Sequence, residues 1–239
     1  MNKKPTILVT GATRGIGLNF CKFISKKSWN IILIDISKKA HSVYKESNKL
    51  SAIKKELENN NNVSFHFSDL TSEKNVISLF KKLKQKKIFI NGLVNFAGGD
   101  IIGNDLNASG GKPKNNNIFI DSNDFKNVYN RNYLTTYLMC KEFIKMNQDH
   151  KEKSKIVNIS SISGTYGVNE EFAYSSAKSN IIYLTRSLAS YTRKFNINVN
   201  CIAPCGTTSG RFLETMKLRG EKDRSRLNKE GLEGFASLN

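Results

Sequence analysis

Residues 6–17 read TILVTGATRGIG, and how that stretch folds decides how the rest of the chain must be read. The run from Thr6 to Thr10 is short and rich in branched side chains, which suits a buried strand. Gly11, Gly15 and Gly17 then punctuate a turn, and Leu18 to Lys27 has the periodicity of a helix. Glycines so placed permit a tight turn, let a pyrophosphate approach the backbone and let helix pack closely on strand. The helix start meanwhile offers free N–H groups to the phosphates. Glycines at this density also occur in plain loops, but a strand before and a helix after favour a nucleotide. Asp35 ends the second apolar run, where a carboxylate can accept hydrogen bonds from both hydroxyls of an adenosine ribose, or simply cap the strand.

Working outward, branched-residue runs recur: NIILIDI at 30–36, VSFHF at 63–67, GLVNFA at 92–97, KIVNISS at 155–161 and INVNCIA at 197–203. Stretches with helical periodicity lie between most of them, at Ala40–Glu58, Thr71–Lys84 and Asp124–Asn147. Strands alternating with helices imply parallel βαβ units with right-handed crossovers and a sheet covered on both faces. The expected fold is therefore α/β, a doubly wound parallel sheet, in one domain spanning residues 1–239. No linker and no internal repeat beyond the βα alternation divides it. The polar, glycine-dotted segment Gly98–Ser122 reads as a surface loop beside a site.

The formal net charge is +18, with lysines scattered along the chain among asparagine runs such as NNNN at 59–62. Compositional drift toward Lys, Asn and Ile explains that as well as a preference for acidic partners does. No zinc-finger spacing, RRM-like signature or single basic helix points to nucleic acid. The four cysteines, Cys21, Cys140, Cys201 and Cys205, form no CxxC pair and lie far from the three histidines, so no metal site or disulfide framework is expected. The apolar run after the basic start is too short for a signal peptide, and nothing is long enough to span a membrane. A reducing, cytoplasmic setting is the expectation.

The stretch FAYSSAKSNIIYLTRSLA, from Phe172 to Ala189, sets Tyr174 and Lys178 four residues apart, on one face of a helix. That spacing is common by chance. Together with the glycine turn, however, it resembles the short-chain dehydrogenase/reductase family, whose marks fall in order from about residue 5 to 210. TGATRGIG is similar to the family's TGxxxGxG turn and YSSAK to its YxxxK motif. SDL at 68–70 is similar to the segment that contacts adenine, VNFAG to the family's NNAG, FKNVYNRNY to the helix carrying a catalytic asparagine, and IVNISSISG to the strand that ends in a catalytic serine.

The resemblance implies a catalytic tetrad of Asn132, Ser161, Tyr174 and Lys178. For cofactor binding it implies Gly11, Thr13, Arg14, Gly15, Ile16, Gly17, Asp35, Ile36, Asp69, Leu70, Asn95, Ala97, Gly98, Pro204 and Thr207, with Tyr174 and Lys178 serving again. The cofactor is expected to be NAD, because Asp35 would repel a 2′-phosphate and Ile36 is not basic; Arg14, Lys38 and Lys39 argue for NADP. A free phenol has a pKa near 10. An ammonium about 4 Å away, at an effective dielectric near 20, would favour phenolate by roughly 4 kcal/mol. Tyr174 would then protonate a carbonyl oxygen, or deprotonate an alcohol in reverse. Lys178 would also hold the nicotinamide ribose, Ser161 would orient the substrate oxygen, and Asn132 would anchor a water linking Lys178 to solvent.

Two departures stand out. Phe96 replaces the second asparagine of NNAG, which puts a supporting hydrogen bond in doubt. Cys205 replaces the glycine of the family's Pro-Gly, and strains the turn if that position needs positive φ. The implied activity is interconversion of a secondary alcohol and a ketone on a polar or sugar-like small molecule. The alternatives are a 3-oxoacyl-thioester (acyl carrier protein) reductase and a non-catalytic dinucleotide-binding regulatory protein. A homo-oligomer, dimer or tetramer, is expected. The segment 204–239 holds a lid and contains no strand-like apolar run, so the usual seventh strand is expected to be missing. The sixth strand would then be an edge that invites self-association, and a lid helix from about Arg211 to Leu218 would lose support.

Overall fold

The computed structural model describes residues 4–44, 49–58, 61–99, 117–167, 171–212 and 236–237. Six parallel strands form one sheet: β1 (Thr6–Thr10), β2 (Asn30–Asp35), β3 (Val63–Phe67), β4 (Gly92–Asn95), β5 (Ser154–Ile159) and β6 (Ile197–Ile202). Their order is β3-β2-β1-β4-β5-β6, with β1 paired to β2 on one side, Thr6 opposite Asn30, and to β4 on the other, Ile7 opposite Gly92. All five residues of β1 are buried, as a central strand covered on both faces requires. The chain leaves β1 toward β2 and returns past it to β4, so the carboxyl ends of β1 and β4 part and open a crevice there.

Helices cover both faces of the sheet. On one face lie α1 (Gly15–Ser25) and α2 (Leu50–Glu58), where Leu18, Cys21, Ile53 and Leu57 pack on Ile7, Val9, Ile31 and Leu33. On the other, α3 (Glu73–Gln85) and α5 (Thr135–Asn147) bury Leu79, Leu83, Leu138, Met139 and Phe143 against Leu8, Ile32, Ile34 and Ile156. Alternate residues of β1 and β2 thus serve opposite cores, the period-2 rule of a strand. Asp121 starts α4 (Ser122–Tyr129) by accepting the backbone N–H of Asn123 at 2.8 Å. From α4 the helix continues into α5 through a widened, π-helical turn at Asn130–Leu134. The last long helix, α6 (Phe172–Thr192), buries Ala173, Ala177, Ile181 and Leu184, a stripe of helical period that fixes where Tyr174 and Lys178 point.

The structure bears out the doubly wound α/β fold and shifts several boundaries. The helix read over Ala40–Glu58 is a single 3₁₀ turn at Ala40–Ser42 followed, past residues outside the description, by α2. The helix read over Asp124–Asn147 is interrupted by the π turn, which no periodicity argument reveals. Within the six-stranded sheet β6 is an edge, as expected. The C-terminal stretch, read as strand-free, does contain a two-residue strand, β8 (Ala236–Ser237), parallel to β7 (Thr207–Thr208) in a separate ribbon. Two residues pair through backbone alone and need no apolar run to announce them. Most of the polar loop 98–122 and of the lid helix lies outside the described residues; 210–212 is the helical start of the latter.

Candidate active site

A cleft of about 690 Å³ opens at the carboxyl ends of the strands and runs from Asp69 and Leu70 at one end to Ser163, Glu171 and Phe212 at the other. Its floor is the glycine turn. A β-carbon on Gly17 would collide with the Gly11 carbonyl oxygen, so the turn closes this tightly only on glycine. Arg14, the residue before α1, makes no side-chain capping bond to the helix start, which is the end of a helix at which an anion is stabilised. Arg14 flanks the turn with its guanidinium carbon 4.9 Å from the Tyr44 ring centre.

Asp35 is 7% exposed. Its Oδ2 accepts from the Thr13 backbone N–H at 3.1 Å and the Thr13 hydroxyl at 2.7 Å, and its Oδ1 accepts from the Ile36 N–H at 2.8 Å. The carboxylate therefore caps the turn and also lines the cleft. Asp69 likewise braces its own turn, Oδ1 accepting from the Thr71 N–H at 2.9 Å and the Thr71 hydroxyl at 2.8 Å.

Lys178 is 4% exposed and lies with its Nζ 5.5 Å from the centre of the Tyr174 ring, donating to the Ile159 carbonyl at 2.9 Å. Burial pushes its pKa down from 10.5 to about 8; the neighbouring Cys201 works against that and the Arg211 cation with it. Ser161 Oγ accepts the Ser163 N–H at 3.2 Å, and the Ser163 hydroxyl donates to Glu171 Oε2 at 2.9 Å. Ser161 and Tyr174, brought from β5 and α6, thus line one wall together.

Asn132 sits in the π turn, fully buried. Its Oδ1 accepts the Gly99 N–H at 2.8 Å, and its Nδ2 donates to the Gly99 carbonyl at 3.0 Å and the Val128 carbonyl at 2.8 Å. The side chain thus holds the Gly98–Gly99 segment beside Lys178. A π turn is a common device for aiming one side chain out of helical register.

Of the sequence-derived residues, Gly11, Arg14, Gly15, Ile16, Gly17, Asp35, Ile36, Asp69, Leu70, Ala97 and Gly98 line the cleft, as do Ser161, Tyr174, Lys178, Pro204 and Thr207. Thr13, Asn95 and Asn132 stand behind it. Thr13 is turned to Asp35, and Asn95, the last residue of β4, donates to Asn158 Oδ1 on the neighbouring strand β5 at 2.9 Å. At the departures, Phe96 packs 5.5 Å from the Phe20 ring of α1 while Ala97 N donates to Thr10 Oγ1 at 3.0 Å, so the segment keeps a support. Cys205 is not in the left-handed region, where the only non-glycine residues described are Ser28, Lys87 and Asn196. The strain conditional on positive φ does not arise. Sequence reasoning missed Tyr44, Ser163, Glu171 and Arg211. Glu171 and Ser163 stand close in sequence to Tyr174 and Ser161 and could have been suspected; Arg211 carries no local signal. Among the described residues no cluster of three His, Cys, Asp or Glu could hold a metal ion, and no helix is long and apolar enough to cross a membrane.

A family model described as short chain dehydrogenase matches residues 5–217. The chain is 29% identical over 201 residues to the 3-oxoacyl-[acyl-carrier-protein] reductase of Chlamydia pneumoniae, covering 83% of this chain and 71% of that one. It is 27% identical over 223 residues to the 2-dehydro-3-deoxy-D-gluconate 5-dehydrogenase of Dickeya dadantii, covering 92% and 77%. Among solved structures, a 4-hydroxyisoleucine dehydrogenase complexed with NADH superposes with a TM-score of 0.72 at 25% identity, over 98% of this chain and 86% of that one.

Proposed function

The chain belongs to the short chain dehydrogenase family and is an NAD(P)-dependent oxidoreductase, and from that premise we propose that it interconverts a secondary alcohol and a ketone on a polar small molecule, with NAD(H) as cofactor. The observation that carries the reading is the convergence of Tyr174, Lys178 and Ser161 on the cleft that the glycine turn Gly11–Gly17 also lines. The nicotinamide, when bound, supplies or accepts the hydride. Everything else is the work of the chain's own residues.

The Lys178 ammonium lies 5.5 Å from the centre of the Tyr174 ring, and a cation that near favours phenolate over phenol, the direction a general acid and base at neutral pH needs. Ser161 Oγ stands where it can hold the substrate oxygen, kept in orientation by the Ser163 N–H. Because the Asn132 amide is bonded at both ends to backbone, its part is to hold Gly98 and Gly99 in place. Those bonds use one of the two lone pairs of the amide oxygen, and the water relay implied by the resemblance would run through the other.

NAD(H) is favoured over NADP(H) by the buried Asp35 carboxylate, beside which a 2′-phosphate would face a like charge. A polar substrate is favoured by Ser163, Glu171, Ser209 and Arg211 at the far end of the cleft. The alternative, a 3-oxoacyl-thioester reductase, draws its support from the net charge of +18, which would attract an acidic carrier protein. A cytoplasmic homo-oligomer is part of the proposal, and the exposed rings of Tyr137, Phe172, Tyr183 and Tyr191 on α5 and α6 suit a second copy. The test is NAD(P)H oxidation across a panel of ketones and NAD(P) reduction across alcohols, each with a Tyr174→Phe control. No turnover above that control on any member would overturn the reading.

A further inference from the structure

Lys178 is gripped at both ends by neighbouring residues of one strand end. Its Nζ donates to the Ile159 carbonyl at 2.9 Å, and its own main-chain carbonyl accepts from the Ser160 hydroxyl at 2.7 Å. Ser161, the next residue, lines the cleft. Three consecutive residues at the end of β5 thus hold the ammonium, hold the backbone from which it hangs, and supply the serine of the proposed tetrad. Ser160 is buried, its N–H donates to the Ile202 carbonyl of β6 at 2.8 Å, and its single hydroxyl proton goes to Lys178. Just beyond it the 3₁₀ turn Ile162–Gly164 lies close on α6: a β-carbon on Gly164 would stand 2.7 Å from both the Lys178 carbonyl carbon and the Ser179 nitrogen. The end of β5 is therefore seated on α6 at the residue that bears the ammonium.

We propose that Ser160 is a positioning residue for the oxidoreductase reaction: its hydroxyl fixes the Lys178 backbone against β5, and with it the placing of Lys178 and Tyr174 relative to Ser161. The tie matters because these groups belong to two elements. Tyr174 lies about one turn before Lys178 on α6 and moves with that helix, whereas Ser161 moves with β5. A lysine has a flexible four-carbon stem. With its backbone loose, the stem can keep the bond to Ile159 while the helix drifts, and Tyr174 drifts with the helix. A misplacement of about 1 Å in such a constellation costs up to ~10²-fold in rate. Around the ammonium stand Tyr174 on its own helix, Cys201 on β6 and the Arg211 cation, and burial is the main reason its pKa falls to about 8. A looser seat admits water to the ammonium, and its proton affinity then rises toward that of an exposed lysine.

This inference rests on the alcohol–ketone reading, and one of its two experimental arms needs no turnover. The proteins compared are the parent, Ser160→Ala, Ser160→Thr, which keeps the hydroxyl, and Thr192→Val. Thr192 makes the same kind of tie at the far end of α6, its buried hydroxyl 2.8 Å from the Leu188 carbonyl and 2.7 Å from the Ile197 carbonyl. It lies about 21 Å from Lys178 along the helix axis. In the first arm, NADH oxidation with a ketone that the parent reduces, Ser160→Ala should lower kcat by about 10- to 100-fold with KM of the ketone within about threefold. Ser160→Thr should restore most of the rate, and Thr192→Val should stay within about threefold of the parent. The second arm is urea unfolding at pH 7 and pH 9.5 without dinucleotide. The parent's midpoint should rise with pH as its buried lysine sheds a proton that the unfolded chain keeps. The rise should be smaller in Ser160→Ala than in Thr192→Val, a comparison that cancels the other titrating groups, and Ser160→Thr should show the parental rise. Ser160→Ala at the parental kcat, or at the parental rise, overturns the inference. So does Thr192→Val matching Ser160→Ala in both arms, since the loss of any buried tie would then suffice. A smaller rise in Ser160→Ala, with no ketone reduced by the parent, supports the grip on Lys178 and overturns the alcohol–ketone reading instead. Should Ser160→Ala not fold, Ser160→Cys, a weak donor of similar size, takes its place, and parental behaviour of that protein overturns the inference in the same way.

Discussion

Replacing Lys178 by methionine should destroy turnover and make the fold more stable. The ammonium is buried, and its pKa is pushed from the 10.5 of an exposed lysine down to about 8. At ~1.36 kcal/mol per pKa unit, keeping the charged form inside the folded chain at neutral pH costs about 3 kcal/mol. Methionine keeps most of the packing volume and carries no charge. It loses the 2.9 Å bond to the Ile159 carbonyl, worth ~1 kcal/mol. The net gain is ~2 kcal/mol, and for a chain of this size that shifts Tm upward by about 4–8 °C. The sign of the pH dependence follows from linkage. Between about pH 8 and 10.5 the unfolded parent binds a proton that the folded parent does not, so the parent gains stability as pH rises through that window. The methionine variant has no such proton. Its advantage is therefore full below pH 8 and shrinks to a few tenths of a kcal/mol by about pH 9.5. Urea unfolding of both proteins at pH 7 and pH 9.5, without dinucleotide, measures it. A variant less stable than the parent at pH 7, or an advantage unchanged at pH 9.5, would refute the reasoning and place Lys178 in a site that solvates its charge.

Tyr174→Phe should retain dinucleotide affinity within about threefold while kcat falls by roughly 10³ or more, since the ring still packs and only the proton donor is gone; fluorescence titration beside steady-state assays checks both halves. Asp35→Ser should shift the NADP-to-NAD ratio of kcat/KM upward by about tenfold or more and lower stability by ~1–3 kcal/mol, because the Thr13 N–H and hydroxyl lose a charged acceptor. A variant that keeps the parent's cofactor ratio counts against the ribose role. Cys205→Gly should leave the fold no more stable than the parent, because Cys205 is not at positive φ, and glycine adds entropy to the unfolded chain. A thermal melt showing a gain of more than about 1 kcal/mol would contradict the described backbone.

What the sequence discloses depends on how local the cause is. The central strands β1, β2 and β4 are legible because burial on both faces favours unbroken apolar runs, and each of the six strands is found within a residue or two of its reading. The glycine turn is legible because a strand, a collision-free turn and a helix start must be adjacent. The segment around Ala40–Glu58 misleads because lysine, serine and alanine satisfy helical periodicity whether or not the chain helps itself to a turn first. The π turn at Asn130–Leu134 is invisible because widening a helix by one residue is decided by what Asn132 must reach, the backbone of Gly99, across |i−j| = 33. Arg211 is invisible for the same reason: its partner Gly98 is 113 residues away.

Those two long-range contacts meet on the same pair of glycines, and that meeting joins the proton chemistry to substrate choice. Asn132 reaches Gly99 from beneath the segment, through both backbone groups, while Arg211 comes to Gly98 from the lid. Gly98 itself leaves no room for a side chain, because a β-carbon there would lie 2.6 Å from Asn132 Oδ1 and 3.5 Å from Lys178 Nζ. A side chain at either glycine would thus disturb the asparagine, the lysine or the arginine. The tetrad and the lid share one narrow stretch of backbone, so a change in how the lid is held reaches Lys178 through a path only a few atoms long. On this account a substitution at Gly99 should alter substrate selectivity and the pH dependence of turnover together. The same substitution on a lid mechanically independent of the tetrad would alter the first alone, which a pH profile of kcat/KM for Gly99→Ala distinguishes.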